Sequence, residues 1–169
     1  MESRRQKAEA IAKAYIGVDQ LFKDLGSGAE GFVFPSPSAT AVKVFTYKEK
    51  FDHELAAYER LLEHKAFDIR GFAVPQLIKS DSQLLVIEMT LVEPPFILDF
   101  AQSVLDDPKD FPEEVVEEWW ERVADDFGDR FPVVQELFYE LQHKYGIYYY
   151  DLAPRNINFG VENGTDPIV

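Results

Sequence analysis

The sequence contains no cysteine, so a disulfide framework and a thiolate metal site are both excluded. It also has no apolar run that approaches the roughly 20 residues needed to span a bilayer. The N-terminus is charged, and no hydrophobic signal core follows it. These absences favour a reducing compartment and no membrane segment, and we expect a cytoplasmic protein.

Positive charge is scarce. The 169 residues include 17 Lys and Arg against 31 Asp and Glu, for a formal net charge of −14. Nucleic-acid binding generally needs a basic surface, so we expect no nucleic-acid partner. The hydrophobic fraction of 46% and the aromatic fraction of 14% suit a globular core, and the length fits one domain, residues 1–169.

A glycine-rich stretch, Leu-Gly-Ser-Gly-Ala-Glu-Gly-Phe-Val-Phe, occupies residues 25–34. Glycine lets a backbone bend sharply and approach a ligand closely, and successive N–H groups in such a loop can bind phosphate. The same pattern opens dinucleotide-binding units, but these need a helix directly after the third glycine. Here residues 32–34 and 41–45 are rich in β-branched and aromatic types, so we predict a glycine loop at the tip of a β-hairpin.

The hydrophobic periodicity predicts an α+β fold. Helices are expected over residues 2–16, 51–62, 113–127 and 131–145, with a short helix over 97–105, and strands over 21–25, 32–34, 41–45, 72–78 and 84–89. The strands suggest a five-stranded antiparallel sheet with one inserted helix, over residues 1–93. Pro94-Pro95 ends the last strand, and a reduced helical part follows over residues 94–169.

The helix predicted over residues 51–62 places Phe51, Leu55, Tyr58 and Leu62 on one face. Glu54 lies beside this stripe. A buried lysine needs an opposite charge, and Lys43 on the preceding strand is the nearest candidate. We therefore predict a Lys43–Glu54 ion pair, with Glu59 as the second choice.

The acidic helix over residues 113–127 carries apolar side chains at helical spacing: Val116, Trp119, Trp120, Val123 and Phe127. This pattern predicts a packing face, with the acidic residues in solvent. A protein-binding role for the tryptophans is the second interpretation. The acidic run lacks the spacing and the glycine of an oxygen-ligand metal loop, so we predict no metal site in it.

A second motif, Asp-Leu-Ala-Pro-Arg-Asn, occupies residues 151–156. Alone it is compatible with an ordinary turn. It follows, in chain order, a glycine loop, a strand lysine and a helix glutamate, and this ordered set resembles the protein-kinase superfamily. The motif is close to the D-L-A-A-R-N form of tyrosine kinases. The resemblance covers roughly residue 21 to the end and implies a two-lobed kinase-like fold that binds ATP and Mg²⁺.

The resemblance also implies roles for individual residues. The glycine loop, with Gly26, Ser27, Gly28 and Gly31, would fold over the phosphates of the nucleotide. Val33 and Ala41 would contact adenine, and Ile87 would be the gatekeeper. The Glu88 carbonyl and the Thr90 N–H would bond the adenine edge. For the chemistry, Lys43 would bind the α- and β-phosphates and be oriented by Glu54, Asp151 would accept the proton of the attacking hydroxyl, Arg155 would neutralise the transferred phosphate, and Asn156 would ligate Mg²⁺.

The motif departs from the family at two places. Tyr149 and Tyr150 stand where the family usually has His-Arg. The Asn-Phe-Gly at residues 158–160 follows Asn156 too closely to be the family's metal-binding D-F-G. We expect that aspartate just past Val169, with Asp166 as a less favoured substitute.

Two functions follow. The first is an ATP-dependent phosphotransferase that acts on a protein or small-molecule hydroxyl. The alternative is a pseudokinase or truncated kinase-like module that binds a protein partner, with or without nucleotide.

Overall fold

The computed structural model describes residues 3–21, 25–27, 31–97 and 99–160. The α-helices are α1 (Arg4–Ile16), α2 (Lys48–Glu63), α3 (Glu113–Phe127) and α4 (Phe131–Tyr145). The strands are β1 (Gly26–Ser27), β2 (Gly31–Pro35), β3 (Thr40–Phe45), β4 (Asp68–Ile69), β5 (Phe72–Ala73), β6 (Leu77–Asp81), β7 (Val86–Thr90), β8 (Phe96–Ile97), β9 (Ser103–Leu105), β10 (Ile147–Tyr149) and β11 (Ile157–Asn158). The predicted α+β class with antiparallel sheet is confirmed.

The largest sheet has the strand order β1-β2-β3-β7-β6, and all its neighbours are antiparallel. Its first described strand is Gly26–Ser27, and residues 22–24 of the strand predicted over 21–25 lie outside the described part of the chain. The expected strand over residues 72–78 is two strands. Phe72–Ala73 belongs to a second sheet of order β11-β8-β5-β4, whereas Leu77–Asp81 joins the large sheet. Pro75 separates them, because proline has no N–H for a ladder.

The two faces of the large sheet have different covers. Alternate side chains of β3 point to opposite faces: Val42 and Val44 pack with Ala8 and Ala12 of α1, whereas Ala41 belongs to the main core. Helix α1 begins with a capping box at Ser3 and ends at Gly17, which has φ +79°. The sheet face that carries Lys43 is therefore the one directed away from α1.

Helix α2 buries Phe51 and Tyr58 as predicted, but the rest of its buried stripe differs from the prediction. Glu54 and Leu61 are fully buried, whereas Leu62 is 41% exposed. Simple apolar periodicity could not find this stripe, because its central member is a carboxylate. The buried charge partner of Glu54, described below, rotates that side of the helix towards the core.

The segment over residues 97–105 is not the predicted helix. It contains the ends of β8 and β9 joined by a short loop. Each strand pairs with a strand from the end of the described chain: β8 with β11 and β9 with β10, both antiparallel. Such long-range pairing overrides local helix propensity.

Helices α3 and α4 have the predicted bounds. The buried side of α4 is the predicted one: Val134, Leu137, Phe138, Leu141 and Tyr145. On α3, Val123 and Phe127 are buried, but Val116 is 36% exposed. One core cluster joins these helices to α2 and the large sheet. No helix of the described ranges is long and apolar enough to cross a membrane.

Candidate active site

Lys43 lies between two carboxylates. Its Nζ is 2.6 Å from Glu54 Oε2 and 3.0 Å from Asp99 Oδ2. Lys43 extends from β3 and Glu54 from α2, and their side chains are 6% and 0% exposed. The predicted Lys43–Glu54 ion pair is confirmed, and Glu59 is exposed. The buried ammonium and its two acidic partners stabilise one another. Removal of the ammonium or of the acidic groups would leave a buried charge without a counter-charge.

Sequence reasoning missed Asp99. Its carboxylate is 29% exposed and accepts a hydrogen bond of 2.9 Å from the N–H of Ala101. The available signal was the Asp-Phe-Ala triplet directly after an apolar segment. That triplet precedes the second motif in the chain, whereas the resemblance places a metal-binding Asp-Phe-Gly after it.

Strand pairing holds the Asp99 loop against the 150–156 loop. On one side Tyr149 of β10 is opposite Ser103 of β9. On the other side Ile157 of β11 is opposite Ile97 of β8. The Asp99 loop connects β8 to β9, and the 150–156 loop connects β10 to β11. Because β8 pairs with β11 and β9 with β10, the two loops are held against each other. Residues that are about 50 positions apart in sequence are neighbours for this reason.

The 150–156 loop has a well-defined internal bonding pattern. The Arg155 guanidinium donates through Nη2 to both oxygens of Asp151, at 2.7 and 2.8 Å. Asn156 is 4% exposed and donates through Nδ2 to the Asp151 carbonyl at 2.9 Å. The Asn156 side chain thus fixes the loop while its Oδ1 can accept or ligate. The Asp151 carboxylate is 28% exposed and Arg155 is 70% exposed.

Tyr149 connects the two groups of charges. Its ring centroid is 5.2 Å from that of Phe100. Burial raises the pKa of Tyr149 well above its usual range, and the charges of Asp99, Asp151 and Glu54 raise it further. The Tyr149 phenol therefore interacts electrostatically with a carboxylate from each of the two loops and with one from α2. Within the described residues, the Tyr149 hydroxyl and Glu54 Oε1 are buried without a hydrogen-bond partner.

The carboxylates around Lys43 titrate differently. Burial raises the pKa of Glu54 to about 8, against the attraction of Lys43, and Asp99 adds to the rise. Burial also acts to raise the pKa of Asp99, but the Lys43 charge and the Ala101 N–H outweigh it, and the net shift is downward. The pKa of Asp99 is thus shifted towards ionisation, whereas the pKa of Glu54 is shifted towards the protonated form.

The glycine stretch is described only in part. The backbone of Gly26 and Ser27 pairs with β2, opposite Val33 and Phe32. Gly28 lies outside the described residues. At Gly31 a Cβ would lie 2.5 Å from the backbone oxygen of Val44 on the next strand. Gly31 is therefore required by strand pairing, whatever else the loop does.

The predicted adenine-contact residues lie on the same sheet face as Lys43. Val33 and Ile87 are opposite Lys43 on the two neighbouring strands. Opposite Ala41 is Met89, which is fully buried. Ile87 is fully buried as well, and its role as the gatekeeper stays a prediction.

The prediction for Thr90 is wrong. Its N–H donates to the Gln76 carbonyl at 2.9 Å, so it is not available to an adenine edge. The Glu88 carboxylate accepts from Thr40 Oγ1 at 2.7 Å and from the Tyr15 hydroxyl at 3.3 Å, on the α1 face. The role of the Glu88 carbonyl stays a prediction. The extended segment 91–93 after β7 becomes the candidate for the edge contact.

The donor set suits a hard cation that is shared with phosphate. Among the described residues no cluster of three His, Cys, Asp or Glu side chains could hold a metal alone. Mg²⁺ usually takes only one or two carboxylates and completes its shell with phosphates and waters. Asp99 supplies a carboxylate and Asn156 an amide oxygen, on two loops held together by strand pairing. Asp166 lies outside the described residues.

No family model and no curated protein match the chain. Among solved structures it is similar to a ternary complex of APH(2")-IIa with streptomycin and ATP, with 15% sequence identity and a TM-score of 0.37 over 75% of this chain. The chain corresponds to 37% of the length of that protein. The arrangement of Lys43, Glu54, Asp99 and the 150–156 loop is thus the basis on which a function can be assigned.

Proposed function

We propose that the chain is a kinase-like phosphotransferase that moves the γ-phosphoryl group of ATP to a hydroxyl of a protein or a small molecule. One observation carries the proposal. The Lys43 ammonium lies between Glu54 and Asp99, and the Asp99 loop is paired strand to strand with the loop of Asp151 and Asn156. Phosphoryl transfer depends mainly on positioning and charge neutralisation, and these residue types supply both.

Each charged residue then has a role towards the nucleotide. Lys43 exchanges its contact with Asp99 for the phosphates, and Glu54 keeps the ammonium oriented. Asp99 and Asn156 are the residues that would hold Mg²⁺, which neutralises phosphate charge when bound. Asp99 takes the metal-binding role that the sequence predicts for an aspartate past Val169. Val33 and Ala41 contact the adenine, and the glycine loop with Gly26, Ser27 and Gly28 covers the phosphates.

The chemical step belongs to the 150–156 loop. Asp151 accepts the proton of the acceptor hydroxyl while the hydroxyl oxygen bonds to the γ-phosphorus. The bond from that phosphorus to the β–γ bridging oxygen breaks, and ADP leaves with those electrons. Arg155 would release Asp151 and neutralise the transferred phosphate, a movement favoured by its 70% exposure.

The alternative is a pseudokinase or truncated kinase-like module that binds a protein partner, with or without nucleotide. One observation favours it. Lys43 is paired with two carboxylates and Asp151 with Arg155, so these charges are already compensated. Under this alternative the same residues stabilise the fold and no phosphate is transferred.

Nucleotide binding is tested by thermal unfolding with ATP, with and without Mg²⁺. We expect a Mg²⁺-dependent rise in Tm, since a ligand at 100 times its Kd adds about 2.7 kcal/mol. Asp99→Asn should remove the Mg²⁺-dependent part, whereas Asp107→Asn, an exposed control, should keep it. No shift with any purine nucleotide would favour the partner-binding alternative.

Catalysis is tested by transfer of radiolabelled γ-phosphate to a panel of protein and small-molecule hydroxyls. We expect transfer that Asp151→Asn reduces by two or more orders of magnitude, within the usual range for a general base. Transfer that survives this substitution unchanged would refute the assigned mechanism. Nucleotide binding without transfer to any acceptor would support the pseudokinase alternative.

A further inference from the structure

A cavity of about 410 Å³ lies behind the 150–156 loop, between α3, α4 and the segment around Pro108. Tyr148 and Tyr150 line it, whereas Tyr149 between them is buried against Phe100. Successive side chains of an extended strand point to opposite faces. The cavity is therefore on the side of β10 away from Lys43, and it is distinct from the proposed nucleotide site.

The cavity is lined mainly by aromatic rings. Trp119 is 4.5 Å from Trp120 between ring centroids and 5.5 Å from Phe138, and Phe111 is 5.6 Å from Tyr150. Phe111 and Tyr139 are 41% and 42% exposed. Its volume is within the roughly 300–1,000 Å³ range of small-molecule sites, which are typically apolar with a few polar groups. Flat rings offer a planar ligand a large contact area at little entropic cost.

The charged residues that line the cavity are Lys109 and Arg122, and neither is acidic. This is unusual in a chain with 31 acidic and 17 basic residues. The Lys109 ammonium lies 5.5 Å from the centroid of the Tyr150 ring. Helix α3 is densely acidic, yet none of the acidic side chains of α3 lines the cavity. The charged side chains that line the cavity are thus complementary to an anion.

We propose that this cavity binds a small planar aromatic anion, such as an aromatic carboxylate. The rings of the ligand lie among Trp119, Trp120 and Phe138, and its anionic group is paired with Lys109 and Arg122. The site contacts the 150–156 loop directly, because the Lys109 N–H donates to the Tyr150 hydroxyl at 3.0 Å and Tyr150 precedes Asp151. The inference goes beyond the proposed function and does not depend on it.

The test uses two fluorescent probes, 8-anilinonaphthalene-1-sulfonate, which is an aromatic anion, and N-phenyl-1-naphthylamine, which is its neutral relative. The two tryptophans of the chain are Trp119 and Trp120, and both line the cavity, so a probe bound there is close enough to receive energy from tryptophan. We expect saturable transfer to the anionic probe, with tighter binding than the neutral probe. No nucleotide is present, so the result is independent of phosphotransferase activity.

Variants locate the site. Arg122→Gln and Lys109→Gln should each weaken binding of the anionic probe about tenfold, the usual scale of one charge-assisted contact, and leave the neutral probe unchanged. Lys7→Gln makes the same charge change on the exposed face of α1 and should have no effect. Val116→Glu should reject the anion but not alter the far-UV circular dichroism, which separates loss of the site from loss of the fold.

Three outcomes would overturn the proposal. The first is equal binding of the two probes, and the second is an effect of Lys7→Gln as large as that of the cavity variants. The third is a dimer in sedimentation analysis that Val116→Glu converts to monomer, because the cavity would then be an interface between copies of the chain.

Discussion

At the scale of single residues, the defining feature is one buried ammonium that is shared by two carboxylates. Such a group costs desolvation energy and regains it only while both charge types are present. Lys43 also lies 5.0 Å from the centroid of the Phe45 ring, and this contact orients its stem. The stability of the fold therefore depends on this arrangement, and substitutions can measure by how much.

Lys43→Met should destabilise the fold by about 3–5 kcal/mol, because the ionised Asp99 would be left without a cation and Glu54 would have to stay protonated. The measurement is the free energy of unfolding in urea. Lys48→Met is the control: it breaks an exposed ion pair with Asp52, which is worth about 0.5 kcal/mol or less. Equal effects of the two substitutions would show that the buried pair has no special weight.

The pKa of Glu54, about 8 in the folded chain against an ordinary value of 4.5, predicts a pH dependence. The folded state binds this proton more tightly than the unfolded state. Its contribution to stability is therefore complete below about pH 4.5 and is lost as the pH rises through 8. The free energy of unfolding of the wild type minus that of Glu54→Gln should fall over this window, by at most about 1.4 kcal/mol per pH unit.

The matched measurement is urea unfolding of the two proteins at each pH. Groups that do not interact with Glu54 contribute equally to both and cancel in the difference, which therefore reports the coupled titration of Glu54 with Lys43 and Asp99. A difference that stays constant from pH 4.5 to 8, or rises, would contradict the raised pKa of Glu54.

At the scale of elements, the close approach of β2 and β3 predicts a specific sensitivity. In Gly31→Ala the new Cβ would meet the Val44 carbonyl oxygen at 2.5 Å, so the strands must separate, and we expect a loss of about 1–3 kcal/mol. The comparison is Gly71→Ala, which has open space but a φ of +86° and should lose about 1 kcal/mol from backbone strain alone. Urea unfolding measures both, and a smaller loss at Gly31 would contradict the contact.

The elements also show how far the sequence predicts this fold. The long helices α3 and α4 were predictable because their apolar spacing is strong and local, and Glu54 was predictable because a strand lysine required a partner. The only local signal for Asp99 was the Asp-Phe-Ala triplet, and its place in the fold was not predictable, since β8 and β11 have two residues each. Strands of this length show no periodicity, and their pairing is decided by contacts distant in sequence. The Thr90 N–H was also mispredicted because of a contact outside its own strand: it donates to the Gln76 carbonyl and not to adenine.

At the scale of the whole molecule, one core cluster contains side chains from the large sheet, α2, α3 and α4. Arg60 of α2 also donates to Asp106 at 2.6 and 3.0 Å and to the Tyr145 carbonyl at 2.8 Å. These contacts tie residues 1–93 to residues 94–169. We therefore expect the two parts to unfold together as one cooperative unit.

Cooperative unfolding has a direct measurement. Tryptophan fluorescence reports only α3, which contains both tryptophans, whereas far-UV circular dichroism reports all helices and strands. The two signals should give one urea midpoint and the same free energy of unfolding. A tryptophan midpoint clearly below that of circular dichroism would show that residues 94–169 form a separate, less stable unit.

The paired loops have a consequence for engineering. The position of Asp99 relative to Asp151 is set by two short ladders and not by the length of chain that joins them. The connection turns at residues 128–130, between α3 and α4, and its first two residues are exposed. A foreign module grafted into that turn should leave the spacing of the two aspartates intact, which makes the turn a suitable place to attach a reporter domain.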